Sequence, residues 1–322
     1  MRVSLMIEGQ EGVTWQQWCD LADACEEHGV ATLYRSDHYI SQANETGSVA
    51  HDAWTTLAAL AARTTTLRFG TLVSPATFRL PGLLANAVAT VDHVSGGRIE
   101  LGLGGGWMER EHRAYGFPFP ETRVRLEMFA EQLEIVHRLW TEDRVDFRGR
   151  HYTLEDAPAQ PKPVQLPHPP IFVGGGGRRI LSLAGREADI VGLAPRILPG
   201  DEPRTDPRSL TLEAAAEKIG WVREAAGDRF DRLEFNTYPS TSEIVVTDHA
   251  LPKVRELADR LRARTGIEIT ERELLDSPHI FIGSIDGLVE KFRMLRERLG
   301  ISSIMVGGID ELAPVVERLK GT

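Results

Sequence analysis

Short apolar runs alternate with amphipathic stretches of helical length along the whole chain. Val3–Ile7 is followed by a helical period over Thr14–His28, Ala31–Ser36 by Asp52–Arg63, Leu67–Val73 by Leu83–Val94, and Ile99–Leu103 by Arg123–Trp140. The order continues with Ile171–Val173 and Ile180–Arg186, Ile190–Leu193 and Thr211–Ala226, then Leu233–Tyr238 and Leu251–Arg264. A helix over Leu288–Leu299 precedes an eighth strand at Ser303–Val306. Eight short strands linked through helices predict a closed (β/α)8 TIM barrel rather than an open doubly wound sheet. With 322 residues, the chain suits one barrel of about 250 residues plus insertions, so residues 1–322 read as a single domain. Asp143–Pro170, Pro195–Arg208 and Thr265–Pro278 break the alternation and read as inserted loops or lids.

Composition narrows the partners. Hydrophobic residues make up 42% and charged residues 26%, as in an ordinary folded globular chain. The formal net charge is −10 and the basic residues form no runs, which argues against nucleic acid and for a small-molecule substrate. No membrane partner is expected, and the opening MRVSLMIEGQEG reads as a strand and a polar turn, not a secretion signal, so a cytoplasmic location is expected. Cys19 and Cys25 lie six residues apart on the first predicted helix. That spacing points them to different faces, and neither a disulfide nor a metal site is expected.

In a barrel of this kind the chemistry sits at the C-terminal ends of the strands. The fourth strand runs into LGLGGGW, with Gly102, Gly104, Gly105 and Gly106. Trp107 occupies the place of the last glycine of a dinucleotide fingerprint, and Glu121, about 20 residues on, opens a helix, so this is not a Rossmann turn. After the fifth strand comes FVGGGGRR: Gly174 to Gly177, Arg178 and Arg179 join a strand to a helix start, where backbone N–H groups and the helix dipole suit a phosphate, although a tight turn with solvated arginines has the same pattern. After the second strand, Asp37-His38 places an imidazole at the predicted mouth beside a carboxylate that could orient it or raise its pKa. Trp107 offers an aromatic wall for a planar ring. Glu109 is a weaker site candidate, and Glu111 reads as a first-turn glutamate that complements the helix dipole. No nucleophilic triad, HExxH or cysteine cluster is present, so no protein nucleophile or metal is indicated, and a bound organic cofactor must carry any hard chemistry.

SDHY, TLVSPATFRLPGLLANAVATVDHVSGGRIELGLGGGW, FRGRHYTL and PPIFVGGGGRR together resemble the luciferase-like monooxygenase superfamily, in order and spacing from Val3 to about Val306. Within it they most resemble the branch that uses coenzyme F420, an 8-hydroxy-5-deazaflavin. The resemblance implies a (β/α)8 barrel, a homodimer, and hydride transfer between the deazaflavin and a small organic substrate. It implies His38 as proton donor or acceptor with Asp37 supporting it, and Glu109 as a further candidate. It implies a non-prolyl cis peptide within Leu72-Val73-Ser74 backing the ring, Gly104, Gly106 and Trp107 close to it, and Gly174, Gly175, Gly176, Gly177 and Arg178 around the phosphate. Members that oxidise sugar phosphates carry a glutamate directly after the strand-four glycines and a tryptophan beyond S-D-H. Trp107 and Ser41-Gln42-Ala43 stand there instead, which argues against that substrate class. Two other readings stay open: an FMN-dependent monooxygenase of the same fold, and a barrel that binds a flavin or deazaflavin without turnover.

Overall fold

In a computed structural model of the chain, residues 1–42, 49–198, 204–239, 244–309 and 313–319 are described. Eight parallel strands carry the fold: β1 (Arg2–Ile7), β2 (Thr32–Arg35), β3 (Arg68–Thr71), β4 (Ile99–Gly104), β5 (Ile171–Gly175), β6 (Ile190–Leu193), β7 (Glu234–Thr237) and β8 (Ile301–Val306). Helices alternate with them: α1 (Trp15–His28), α2 (Ala53–Arg63), α3 (Pro81–Ser95), α4 (Glu109–Tyr115), α5 (Thr122–Thr141), α6 (Arg178–Glu187), α7 (Leu212–Ala226), α8 (Ala250–Thr265), α9 (Glu271–Asp276), α10 (Ile285–Leu299) and α11 (Ala313–Leu319). Every strand expected from the hydrophobic pattern is present within a few residues. Among the described residues, no helix is long and apolar enough to cross a membrane.

The chain divides into two compact units. One comprises Met6–Glu27 and Thr32–Phe172. Here β2 pairs with β3 (Thr32 opposite Arg68), β3 with β4 (Phe69 opposite Ile99) and β4 with β5 (Leu101 opposite Ile171), all parallel. Leu33, Phe69, Leu101 and Phe172 are buried almost completely, as continuous apolar strands covered on both faces should be. Asp52 caps α2 by accepting the Thr55 N–H at 2.9 Å, and α3 ends at Gly96 with φ +66°, a left-handed C-cap that glycine adopts without steric cost. The Asp143–Pro170 insertion is not an irregular loop throughout. Arg144–Arg148 and Thr153–Pro158 form an antiparallel pair, with Val145 and Phe147 turned inward at period two.

The other unit comprises Met1–Leu5, His28–Ala31 and Val173–Thr322. β8 pairs with β1 and β7, and β7 with β6, again parallel. α6 and α7 approach closely at Gly185, where a Cβ would stand 2.7 Å from the Val222 carbonyl oxygen. Two insertions carry order that the pattern did not predict. Within Pro195–Arg208, Ile197–Leu198 pairs with Arg204–Thr205, and residues 199–203 between them lie outside the described residues. Thr265–Pro278 contains α9, opened by a capping box between Thr270 and Glu273. Leu274 of α9 joins Leu210, Val254, Leu257 and Ile280 in a buried apolar cluster.

Cys19 and Cys25 are both free and both buried, not turned to different faces as their spacing suggested. The apolar side of α1, with Trp18, Ala22 and Cys25 all fully buried, is wide enough to include both.

Candidate active site

The geometry around His38 is set by the strand that precedes it. β2 is buried along its whole length, and the Arg35 guanidinium at its end is satisfied internally, by the Thr56 hydroxyl at 2.9 Å and the His51 carbonyl at 2.8 Å, with the Trp18 ring 5.1 Å away. The chain leaves the strand at Ser36, whose hydroxyl accepts the Gly9 N–H at 2.9 Å and reaches Gln10 Oε1 at 2.5 Å. Asp37, His38 and Tyr39 follow from this fixed exit.

His38 Nδ1 donates to Glu111 Oε2 at 2.7 Å, and the Glu111 side chain is fully buried. The second carboxylate oxygen of Glu111 accepts the backbone N–H groups of Tyr39 and of Ile40, the latter at 3.1 Å. One carboxylate therefore fixes both the imidazole and the loop that carries it. Burial alone would lower the His38 pKa, but the hydrogen bond and charge of Glu111, aided by the charges of Glu8 and Asp37, outweigh it and hold the imidazole above its ordinary value. With Nδ1 committed to the carboxylate, Nε2 is the nitrogen left to exchange a proton. Trp107 stands edge-on to the imidazole, centroids 5.7 Å apart, and is 56% exposed.

Glu111, not Asp37, is thus the partner of His38. The Asp37 carboxylate meets the Ser74 hydroxyl at 2.6 Å and accepts a fork from Arg79 at 2.5 and 3.2 Å. Arg79 continues to Asp52 at 2.8 Å and to the Tyr39 hydroxyl at 3.1 Å, and its backbone carbonyl accepts from Gln132 at 2.7 Å. Burial would raise the Asp52 pKa, but the Thr55 N–H and Arg79 pull it down to about 2. Asp37 is therefore one member of a buried ion network that ties the His38 loop to the segment after β3. Glu109 is not directed at His38 either: it pairs with Arg113 one helical turn on, and both side chains are more than half exposed. The helical period explains the difference. Met108, Glu111 and His112 share the buried side of the turn and Glu109 the other, so that period, applied to MEREH, is the signal that would have favoured Glu111. Arg79 carried no comparable signal in the sequence.

The peptide between Leu72 and Val73 is cis, and β3 ends at Thr71, short of the expected Val73. Ser74–Pro75 resumes pairing against Leu103–Gly104, and the Trp54 indole N–H reaches the Ser74 hydroxyl at 3.1 Å. The glycines of LGLGGGW answer to the neighbouring Thr71–Val73 segment. A Cβ on Gly102 would sit on the Thr71 carbonyl oxygen, one on Gly104 would stand 2.6 Å from Val73 Cγ2, and Gly106 has φ +74°. Close approach of neighbouring backbone accounts for Gly102 and Gly104 before any ligand is invoked.

In the other unit, Gly174 and Gly175 belong to β5 itself and not to a turn. Bare positions are needed because the Ile180 side chain packs over Gly175, and a Cβ on Gly176 would stand 2.6 Å from the Pro195 carbonyl oxygen. Gly177 is the N-cap of α6, offers no side-chain cap, and has open space where a Cβ would project. The first-turn N–H groups of α6 are therefore available to an anion. Arg178 is held at the surface by Glu224 at 2.7 Å. Ala43, from the run named above for its missing tryptophan, lies outside the described residues, as does most of the Gln42–Ala50 loop.

A family model described as luciferase-like monooxygenase matches residues 1–220. The chain belongs to this family. An F420-dependent glucose-6-phosphate dehydrogenase of Amycolatopsis mediterranei is 34% identical over 173 residues, 53% of this chain and 50% of that protein. An FMNH(2)-dependent dimethylsulfone monooxygenase of Pseudomonas putida is 36% identical over 139 residues, 43% and 38% of the respective chains. The chain spans about half the length of the first of these relatives. An F420-dependent secondary alcohol dehydrogenase, solved in complex with an F420-acetone adduct, superposes with a TM-score of 0.74 at 18% identity, covering 99% of both chains. That likeness fixes the fold as the luciferase-like (β/α)8 barrel.

Proposed function

We propose that this luciferase-like barrel, acting as one domain, is a coenzyme F420-dependent oxidoreductase that transfers a hydride between the deazaflavin and a small organic substrate. The observation that carries the reading is the buried His38–Glu111 pair beside the exposed Trp107 ring. When bound, the deazaflavin would supply a hydride and react poorly with oxygen. The protein's own part is the proton. His38, held by Glu111 with Nε2 free and its pKa raised, gives up or takes the proton that accompanies the hydride. Leu72, Val73 and Ser74 with Gly104, Gly106 and Trp107 are assigned to the planar ring, and Gly174 to Gly177 with the start of α6 to the phosphate. Arg178 is assigned there only if it leaves Glu224.

The residues present fit such a group. Trp107 presents a half-exposed aromatic face, and the uncapped start of α6 suits an anion. Trp107 also bears on the substrate. The charges of Glu111, Glu8 and Asp37, all acidic, act on His38, and an indole stands edge-on to the imidazole. A neutral, planar or apolar substrate suits this wall better than a sugar phosphate, despite the name of the Amycolatopsis relative. A homodimer is part of the proposal. α2 and α3 expose Thr55, Ala59, Ala62, Leu83 and Val94 together with the polar Asn86, Thr90 and His93 and with Arg63, whose charge is paired with Asp23, a surface of low net charge suited to a two-fold contact.

Titration of the apo protein with F420 and with flavin mononucleotide, read by tryptophan fluorescence, tests the assignment. Tight binding of the deazaflavin alone, with turnover lowered about 10² to 10⁴-fold in His38→Ala while cofactor affinity holds, is the expected result. Preference for flavin mononucleotide with oxygen consumption would favour the second reading, which the Pseudomonas relative supports. Affinity without turnover would leave a binding protein.

A further inference from the structure

The unit containing β6, β7 and β8 holds a cleft of about 450 Å³, within the usual range of roughly 300 to 1,000 Å³ for small-molecule sites. One wall is a face of α7 with Ile219, Gly220 and Arg223. Phe230 and Asp231 come from the 3-10 turn after it, Phe235 from β7, and Arg298 from the last turn of α10. Leu233 and Gly300, which immediately precede β7 and β8, also line it, so it opens at the N-terminal ends of these strands. In a barrel the reacting groups sit at the opposite ends, and none of the residues described around His38 lines the cleft.

Its chemistry is specific. The Arg223 guanidinium lies over the Phe230 ring at 3.8 Å, and neither Arg223 nor Arg298 has a described carboxylate within ion-pair distance, although most arginines of the chain do. Asp231 is the one acidic residue of the lining, which leaves a net positive charge. Phe235 is nearly fully buried and forms an apolar floor. A Cβ on Gly220 would meet nothing within 4 Å, so the cleft reaches the helix backbone itself.

Two arginines lining a cleft with aromatic and aliphatic side chains match a carboxylate joined to an apolar body. Guanidinium recognises carboxylate through paired N–H donors, while Phe230, Phe235 and Ile219 would take the hydrocarbon. We infer that this cleft is a second binding site, for a small aryl or alkyl monocarboxylate, distinct from the catalytic mouth.

Titration calorimetry of the full chain with 3-phenylpropionate tests this, with 3-phenylpropionamide and inorganic phosphate as controls. The expected result is saturable binding of the carboxylate with a Kd below about 1 mM, weakened about tenfold or more in Arg298→Ala and in Arg223→Ala and undetectable for the amide. Gly220→Phe keeps both charges and fills the space, and should abolish binding while its circular-dichroism melt stays close to the parent's. Absence of saturable binding, equal affinity for the amide or for phosphate, or indifference to all three substitutions would overturn the inference. Turnover at the His38 site should be unchanged in each variant.

Discussion

Replacing Glu111 by glutamine keeps the shape of the residue that holds His38 and removes its charge. In the native protein its carboxylate accepts from His38 Nδ1 at 2.7 Å and from the N–H groups of Tyr39 and Ile40. The amide oxygen of glutamine can keep the backbone pair, but the imidazole then meets an NH2 group. A charge-assisted hydrogen bond is worth about 1.5–3 kcal/mol, and at about 1.4 kcal/mol per pKa unit its loss corresponds to about one to two units. Burial pulls the same way, because only 11% of the His38 side chain is exposed and desolvation disfavours the cation. The His38 pKa, held above its ordinary value in the native protein, should therefore fall by about one to two units. The titration of the His38 ring proton by NMR, and the matching limb of kcat/KM between about pH 5 and 9, should both move down together. The stability sign follows. A raised histidine pKa contributes stability that is fully present below the unfolded-state pKa and is lost as pH rises through the folded one, so the parent should lose this contribution across that window and Glu111→Gln should not. A His38 pKa that stays put or rises in the variant would refute the role given to Glu111.

Two further outcomes concern the scaffold. Lys291 is buried with its ammonium directed at the Ile280 carbonyl, and desolvation lowers its pKa to about 7. The unfolded chain then binds the extra proton between about pH 7 and 10, so stability rises with pH in that window. Lys291→Met should raise the urea midpoint most below pH 7, with the advantage shrinking toward pH 10; a pH-independent difference would exclude this cause. Gly102→Ala drives a methyl onto the Thr71 backbone carbonyl, whereas Gly104→Ala meets only the Val73 side chain. Overpacking of this kind costs about 1–3 kcal/mol, and chemical denaturation should place Gly102→Ala at or beyond the top of that range and Gly104→Ala below it.

Much of this architecture was legible in the residues. Strand positions could be read because each strand carries a short apolar run bounded by polar turns, and β2, buried from Thr32 to Arg35, left its mark in ATLYRS. His38 could be placed at a strand exit for the same reason. Its partner could not be assigned by adjacency: Glu111 lies seventy-three positions away and looked like a dipole-complementing glutamate until the short helix gave it an inward direction. Asp37 adds its charge to the raising of the His38 pKa but does not hydrogen-bond the imidazole, because the two neighbouring side chains go to different partners, His38 to Glu111 and Asp37 to Ser74 and Arg79. The glycine runs were visible, but their reason was not. Gly102 and Gly104 depend on Thr71 and Val73, and Gly175 and Gly176 on Ile180 and the 194–195 backbone, all of them contacts of tertiary structure.

The turn from Trp107 to Glu111 divides labour along a few residues. Trp107 and Glu109 face outward, touch little that holds the fold, and can be exchanged at small structural cost. Glu111 is committed on all sides. Drift or deliberate engineering at Trp107 therefore changes the wall offered to the ring and to the substrate, while the hydrogen bond from His38 to Glu111 beneath it stays in place, so that new preferences need not be accompanied by a new acid–base chemistry.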